Sequence, residues 1–189
     1  MRAVNIFALI LLAVPAALLA GCADPAKVDD RFIAALNAPY RLDAGDVVRV
    51  NVFDQTNLTN SYTVDDSGVI SMPLIGAVAA RGQTTQDLER AVAAHLANGF
   101  LRDPSVSIQV ETFRPFFILG EVGAPGQYPY VADLTAQSAV AIGGGFSTRA
   151  VKNMVRLSRK YNGTIVEAKV PIDHPIRPGD TITVLERWF

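Results

Sequence analysis

Two adjacent carboxylates, two well-separated histidines and a single cysteine are the groups in this 189-residue chain that first invite a chemical reading. Glycoside hydrolysis needs two carboxyl groups flanking a scissile bond, and Asp65-Asp66 could supply half of such a pair. They stand in Asp65-Asp66-Ser67-Gly68, between Tyr62-Thr63-Val64 and Val69-Ile70-Ser71, where Gly68 can take positive φ and a solvated hairpin turn accounts for both acids. His95 and His174 lie in no metal-ligand spacing, so a zinc centre has little support. His95 falls on an apolar helical stripe and reads as a packed histidine; His174, in Asp-His-Pro, reads as a surface turn residue. The acidic stretch from Asp54 to Asp65 has Thr59 where a calcium loop of the EF-hand type requires glycine. In GEVGAPG, Gly120, Gly123 and Gly126 have the wrong spacing for a dinucleotide fingerprint and Pro125 intervenes. Gly143 to Gly145 follow a helix, so they cannot offer its N-terminus to an anion. No Ser-His-Asp arrangement is visible. The expectation is a chain with no catalytic residue, no metal and no cofactor.

Cys22 needs another explanation, because one cysteine cannot form an internal disulfide or a thiolate cage. Arg2 and the uncharged run Ile6 to Ala20 have the layout of a secretory signal, shorter than the roughly 20 residues of a spanning helix and broken by Pro15. Leu19-Ala20-Gly21-Cys22 resembles a bacterial lipobox, which implies a signal peptide over 1–21 and Cys22 as the acylated first residue of the mature chain. An ordinary cleaved signal with a chance cysteine is the alternative. Stable anchoring takes more than one acyl chain, which a lipoprotein cysteine provides. Ala23, rather than Asp, follows the cysteine, which implies sorting to the outer membrane.

The elements that must position any site come next. Residues 22–38 carry mixed charge and read as a tether with at most one helical turn. Val48, Val50 and Val52 alternate with Arg49 and Asn51 as a half-buried strand. Thr84 and Asp87 resemble a capping box opening a helix that Asn98-Gly99 ends, with Leu88, Ala91, Val92, His95 and Leu96 on one face. Val106, Ile108 and Val110 form a return strand. Beyond Arg114-Pro115, PFFILGEV reads as a strand, GAPGQY as a turn, LTAQSAVAIGGGF as a short helix, and Asn162-Gly163 as a type I′ turn between two strands. The fold class is α+β: two small modules, the second a β-grasp-like sheet crossed by one helix. A net charge of −1 offers no basic excess for nucleic acid.

One internal echo links the modules. LDAGDVVRV at 42–50 and IRPGDTITV at 176–184 share a Gly-Asp turn leading into an alternating strand. Gly45 and Gly179 turn the chain, and Asp46 and Asp180 bond nearby backbone donors, a structural and not a catalytic role.

YRLDAGDVVRVNVF, DSGVISMPLIG, RGQTTQDLERAVAAHL and DPSVSIQV resemble, in order, the polysaccharide export domain of the outer-membrane polysaccharide export lipoproteins. ILGEVGAPGQYPY, AVAIGGGF, VRLSR and IRPGDTITVLER resemble the soluble-ligand-binding β-grasp (SLBB) repeat that follows it in that family. The resemblance implies an export domain at 39–112 and an SLBB domain at 113–189. It further implies a homo-oligomeric ring facing the periplasm of a Gram-negative bacterium, tethered to the outer membrane, through which capsular or extracellular polysaccharide passes. It brings no catalytic residue, and its turn motifs fall here on Gly45, Asp46, Gly68, Pro73, Gly76, Gly123, Pro125, Gly126, Gly179 and Asp180 as scaffold positions. The sequence shows one SLBB-like repeat and then ends at Trp188-Phe189. The expectation is therefore that a separate outer-membrane β-barrel completes the path and that inner-membrane polymerisation and co-polymerase machinery feeds it. A monomeric periplasmic module that binds glycan or an envelope partner is the second reading.

Overall fold

The computed structural model describes residues 30–188; the signal segment and Cys22 lie outside the described residues. Two apolar cores organise the chain. The first is built on a three-stranded antiparallel sheet, β1 (Val47–Val52) between β2 (Asn60–Thr63) and β5 (Val106–Thr112). Val48, Val50 and Val52 all point inward from β1, as alternation demands. A separate hairpin of β3 (Val69–Met72) and β4 (Gly76–Ala79) adds Ile70, Met72 and Val78 to the same core.

Helix α2 (Thr85–Ala97) covers this core. Thr84 and Asp87 form a reciprocal cap: the Asp87 N–H donates to Thr84 Oγ1 and the Thr84 N–H to Asp87 Oδ2, each at 3.2 Å. Leu88, Val92 and Leu96 are the residues it buries, and a buried leucine or valine contributes about 1.5–3 kcal/mol. His95, expected on the packed stripe, is instead exposed. The buried stripe advances by strict fours, so a residue one position before Leu96 turns to the edge of the face.

One further expectation needs correction. Residues 62–64 and 69–71 flank a turn but do not form one sheet. β2 is committed to β1, the Val64 N–H donating to Asp46 O, and the only backbone-to-backbone ladder bond across the turn is Asp65 N–H to Val69 O, beside the Val69 N–H bond to the Asp65 carboxylate. β3 pairs with β4, a strand in which Gly and Ala surround the lone Val78 and whose weak β-propensity hides it in the sequence.

The second core lies on a mixed sheet in the order β7 (Gly126–Tyr128), β6 (Phe116–Gly120), β10 (Thr181–Val184), β8 (Met154–Tyr161) and β9 (Thr164–Pro171). β6 and β10 run parallel and every other pair is antiparallel. Asn162 (φ 48°) and Gly163 (φ 78°) make the tight β8–β9 turn, both in the left-handed region that a type I′ turn requires. Helix α3 (Ala136–Ile142), capped by Thr135, buries Ala136, Ala139 and Val140 against Phe116, Ile118, Leu157 and Ile182. The arrangement is the β-grasp-like α+β packing that the sequence predicts.

The N-terminal helix α1 (Asp30–Asn37) departs from the expected tether. It has eight residues, packs on β8 and β9, and places Ala35 in the second core. Its last carbonyls, which a helix leaves unpaired, accept from Arg177: Nη1 to Ala35 O at 3.1 Å and Nη2 to Leu36 O at 2.6 Å. The described chain therefore starts on the second core, crosses to the first, and returns through Phe113-Arg114-Pro115. Among the described residues no helix is long and apolar enough to cross a membrane.

Candidate functional site

The two Gly-Asp turns fold alike. In the first, the Asp46 N–H donates to Asp43 O at 3.2 Å and the Asp43 N–H returns a bond to Asp46 Oδ2 at 2.9 Å. In the second, the Asp180 N–H donates to Arg177 O at 3.1 Å and the Arg177 N–H to Asp180 Oδ2 at 2.7 Å. Gly45 (φ 91°) and Gly179 (φ 82°) supply the left-handed residue between them. Both aspartates are buried, which a carboxylate tolerates only with charge and hydrogen-bond partners.

Those partners come from different places. Asp180 receives Arg159 of β8 side-on, Nε to Oδ1 at 2.8 Å and Nη2 to Oδ2 at 2.7 Å, within the second core. Asp46 receives Arg114 from the segment that joins the two cores, the backbone N–H to Oδ1 and Nη1 to Oδ2, both at 2.8 Å. The Tyr40 hydroxyl donates to the same carboxylate at 2.7 Å and accepts from Arg114 Nη1 at 2.8 Å. Burial raises the Tyr40 pKa far above its ordinary value; Arg114 opposes this and Asp46 reinforces it, so the phenol stays a neutral donor. Arg114 also crosses Gly179, where an added Cβ would come within 2.6 Å of its Nε. One arginine thus lies against both turns. Phe113 stacks edge-on between Tyr40 (5.3 Å) and Tyr130 (5.4 Å), extending the joint in aromatic contacts.

Beside this joint, α1, the first Gly-Asp turn, the β8–β9 turn and the second Gly-Asp turn enclose a cleft of about 450 Å³. Arg41, Arg81, Arg114, Arg159, Lys160 and Arg177 line it, against Asp43 and Asp180. Asp43 links the two units again, accepting from Arg81 Nε at 2.8 Å and from Lys160 Nζ at 3.0 Å. Burial works against ionisation of Asp43, but the hydrogen bonds from the Ala44 N–H, Lys160 and Arg81 outweigh it and hold its pKa down to about 2.

The other residues singled out in the sequence lie elsewhere. Asp65 accepts from the Val69 N–H and Ser67 Oγ in an exposed turn, and Asp66 gives its carbonyl to Arg81 Nη2. Gly68 closes that turn, its carbonyl accepting from the Ala80 and Arg81 N–H groups. Pro73 and Gly76 bound the β3–β4 tip. Gly123, Pro125 and Gly126 lead into β7; Gly123 meets the Gly143–Gly145 run backbone to backbone, and an added Cβ would lie 2.7 Å from Gly144 O. The two glycine stretches are thus one contact. His174, expected on the surface, is half-buried; burial and then Arg159 lower its pKa. Trp188 is 84% exposed. Among the described residues no cluster of three or more His, Cys, Asp or Glu could hold a metal ion.

The sequence singled out both aspartates but neither arginine partner. Arg114 lies 68 residues from Asp46, with no local signal. Arg159 did leave one: it follows Val155 and Leu157 on the inward face of β8. A charged residue in register with a core face announces a buried partner.

Residues 34–111 match the family described as polysaccharide biosynthesis/export protein. The chain is 35% identical over 173 residues to an exopolysaccharide production protein, ExoF, of Rhizobium meliloti, covering 85% of this chain and 38% of that protein. It is 25% identical over 189 aligned positions to the EPS I polysaccharide export outer membrane protein EpsA of Ralstonia nicotianae, covering 82% of this chain and 49% of that one. The chain therefore spans less than half the length of either relative. The matched segment takes in the whole first core, the first Gly-Asp turn and the end of α1. Residues 34–111 thus carry a polysaccharide biosynthesis/export domain, and the similarity to these relatives reaches beyond it.

Proposed function

We propose that this chain is a non-catalytic, outer-membrane-anchored lipoprotein, acylated at Cys22 and facing the periplasm. It assembles into a ring or conduit that passes capsular or extracellular polysaccharide across the outer membrane. The observation that carries this reading is the family match over the first core, supported by a relative 35% identical over 85% of the chain. Residues 113–189 act as an SLBB module in this reading, and the Gly-Asp, Gly68, Pro73-Gly76 and Gly123-Pro125-Gly126 turns serve as scaffold. Buried aspartates tied up by arginines suit a rigid passive component. A separate outer-membrane β-barrel and the inner-membrane polymerisation machinery are its working partners.

The test is the quantity of polysaccharide at the cell surface and in the medium after deletion of the gene. Loss of surface polymer is expected, restored by the wild-type gene and not by Cys22→Ser. Unchanged surface polymer, in a strain without a second copy, would contradict the reading. Light scattering on the purified protein separates a closed ring from a monomeric binding module.

A further inference from the structure

We propose that the cleft between the two cores binds the carboxylated sugar units of an anionic polysaccharide. Among the described residues its cations are not all matched by ion pairs. Arg114 and Arg159 each have a carboxylate, and Arg81 and Lys160 share the single carboxylate of Asp43. Arg41 donates to Gly82 O at 2.6 Å and Arg177 to the Ala35 and Leu36 carbonyls, all neutral acceptors; among the described residues neither forms an ion pair. The walls therefore hold excess positive charge around an open volume. Burial, and then the neighbouring Arg159, push the pKa of Arg177 below the usual arginine range, with Asp180 working the other way.

Shape and chemistry narrow the ligand. About 450 Å³ lies within the range of small-ligand clefts, and such sites favour the junction of two folded units. Guanidinium groups pair carboxylates in a planar two-point fashion, while Pro39 and Tyr161 give the walls apolar surface for the C–H face of a sugar ring. Lys160 and Arg81 keep 55% and 43% of their side-chain surface exposed, so a chain segment can reach them from solvent. The choice of a saccharide over another carboxylate rests on the export reading above; the preference for an anion rests on the cleft alone.

The experiment is calorimetric titration of the purified protein with trigalacturonate, maltotriose and inorganic phosphate at low and high salt. Trigalacturonate should bind, more weakly as salt rises, and maltotriose should not. The doubly substituted Arg41→Gln/Lys160→Gln protein alters two positions away from the buried carboxylate pairs. It should stay folded, with its melting temperature within about 5 °C of wild type, and lose about tenfold or more in affinity. Failure to bind trigalacturonate, equal binding of maltotriose, or unchanged affinity in the folded double variant would overturn the proposal. Phosphate binding more tightly than trigalacturonate would overturn the saccharide assignment. Export and cleft can fail separately. Surface polymer that survives deletion, with trigalacturonate still bound in the cleft, removes the export reading alone. Polymer lost on deletion, with binding intact in the double variant, removes the cleft alone.

Discussion

The two Gly-Asp turns share backbone, glycine conformation and the bond from aspartate back to the residue three before it, yet they are finished in opposite ways. Asp180 is closed by Arg159 from its own core, with side-chain exposures of 1% and 6%. Asp46 is closed by Arg114 from the connecting segment, which remains 21% exposed. One local motif therefore serves once as an internal brace and once as a joint between units. Which role it takes is decided by where the arginine comes from.

The largest effect should come from removing the carboxylates. Asp180→Ala leaves Arg159 buried without its partner and should cost about 3–5 kcal/mol. Asp46→Ala leaves Arg114 able to turn towards water and should cost less, about 1.5–3 kcal/mol, the range for hydrogen bonds to charged groups. Urea unfolding of the two variants measures the order; equal losses would erase the distinction between brace and joint.

A smaller contrast lies in the glycines. Both have positive φ, so alanine is strained at either position, at about 1 kcal/mol. At Gly179 the new Cβ also meets Arg114 Nε at 2.6 Å, whereas at Gly45 the nearest atom, Arg114 Cβ, is at an ordinary 3.5 Å. Gly179→Ala should therefore destabilise by about 1–3 kcal/mol and Gly45→Ala by the lesser figure, read from the same unfolding curves. The reverse order would mean that Arg114 does not lie over the second turn.

The smallest effect belongs to the outer link. The pKa of Asp43 is lowered from 3.8 to about 2 in the folded chain, so its contribution is fully present above the unfolded value and is lost as pH falls through about 2. Carboxyl NMR titration should find that low midpoint and see it rise in Lys160→Ala. The stability loss in that variant should stay below about 1 kcal/mol, because Lys160 is more than half exposed. An unmoved midpoint would show that Lys160 does not reach across to Asp43.

What was legible in the sequence follows the same division between local and distant causes. The turns, the capping box, the Asn162-Gly163 hairpin and the alternating valines of β1 are set by neighbours within a few residues, and their residue types announce them. Helix α1 is short enough to read as a tether, and it persists because Ala35 enters a core and Arg177 caps its end. Apart from Val78, β4 is made of Gly and Ala, which have little strand preference, and it is held by pairing with β3. His95 sits one position off the face that packs. The cleft was not legible at all, since its walls come from the start, middle and end of the described chain.

The central claim, that Asp46 and Arg114 lock the two units together, is tested most directly by a double-mutant cycle on Asp46→Ala and Arg114→Ala in equilibrium unfolding. A coupling of about 1.5–3 kcal/mol is the expected result. A coupling near zero would contradict the claim and reduce the joint to a surface contact between energetically independent halves.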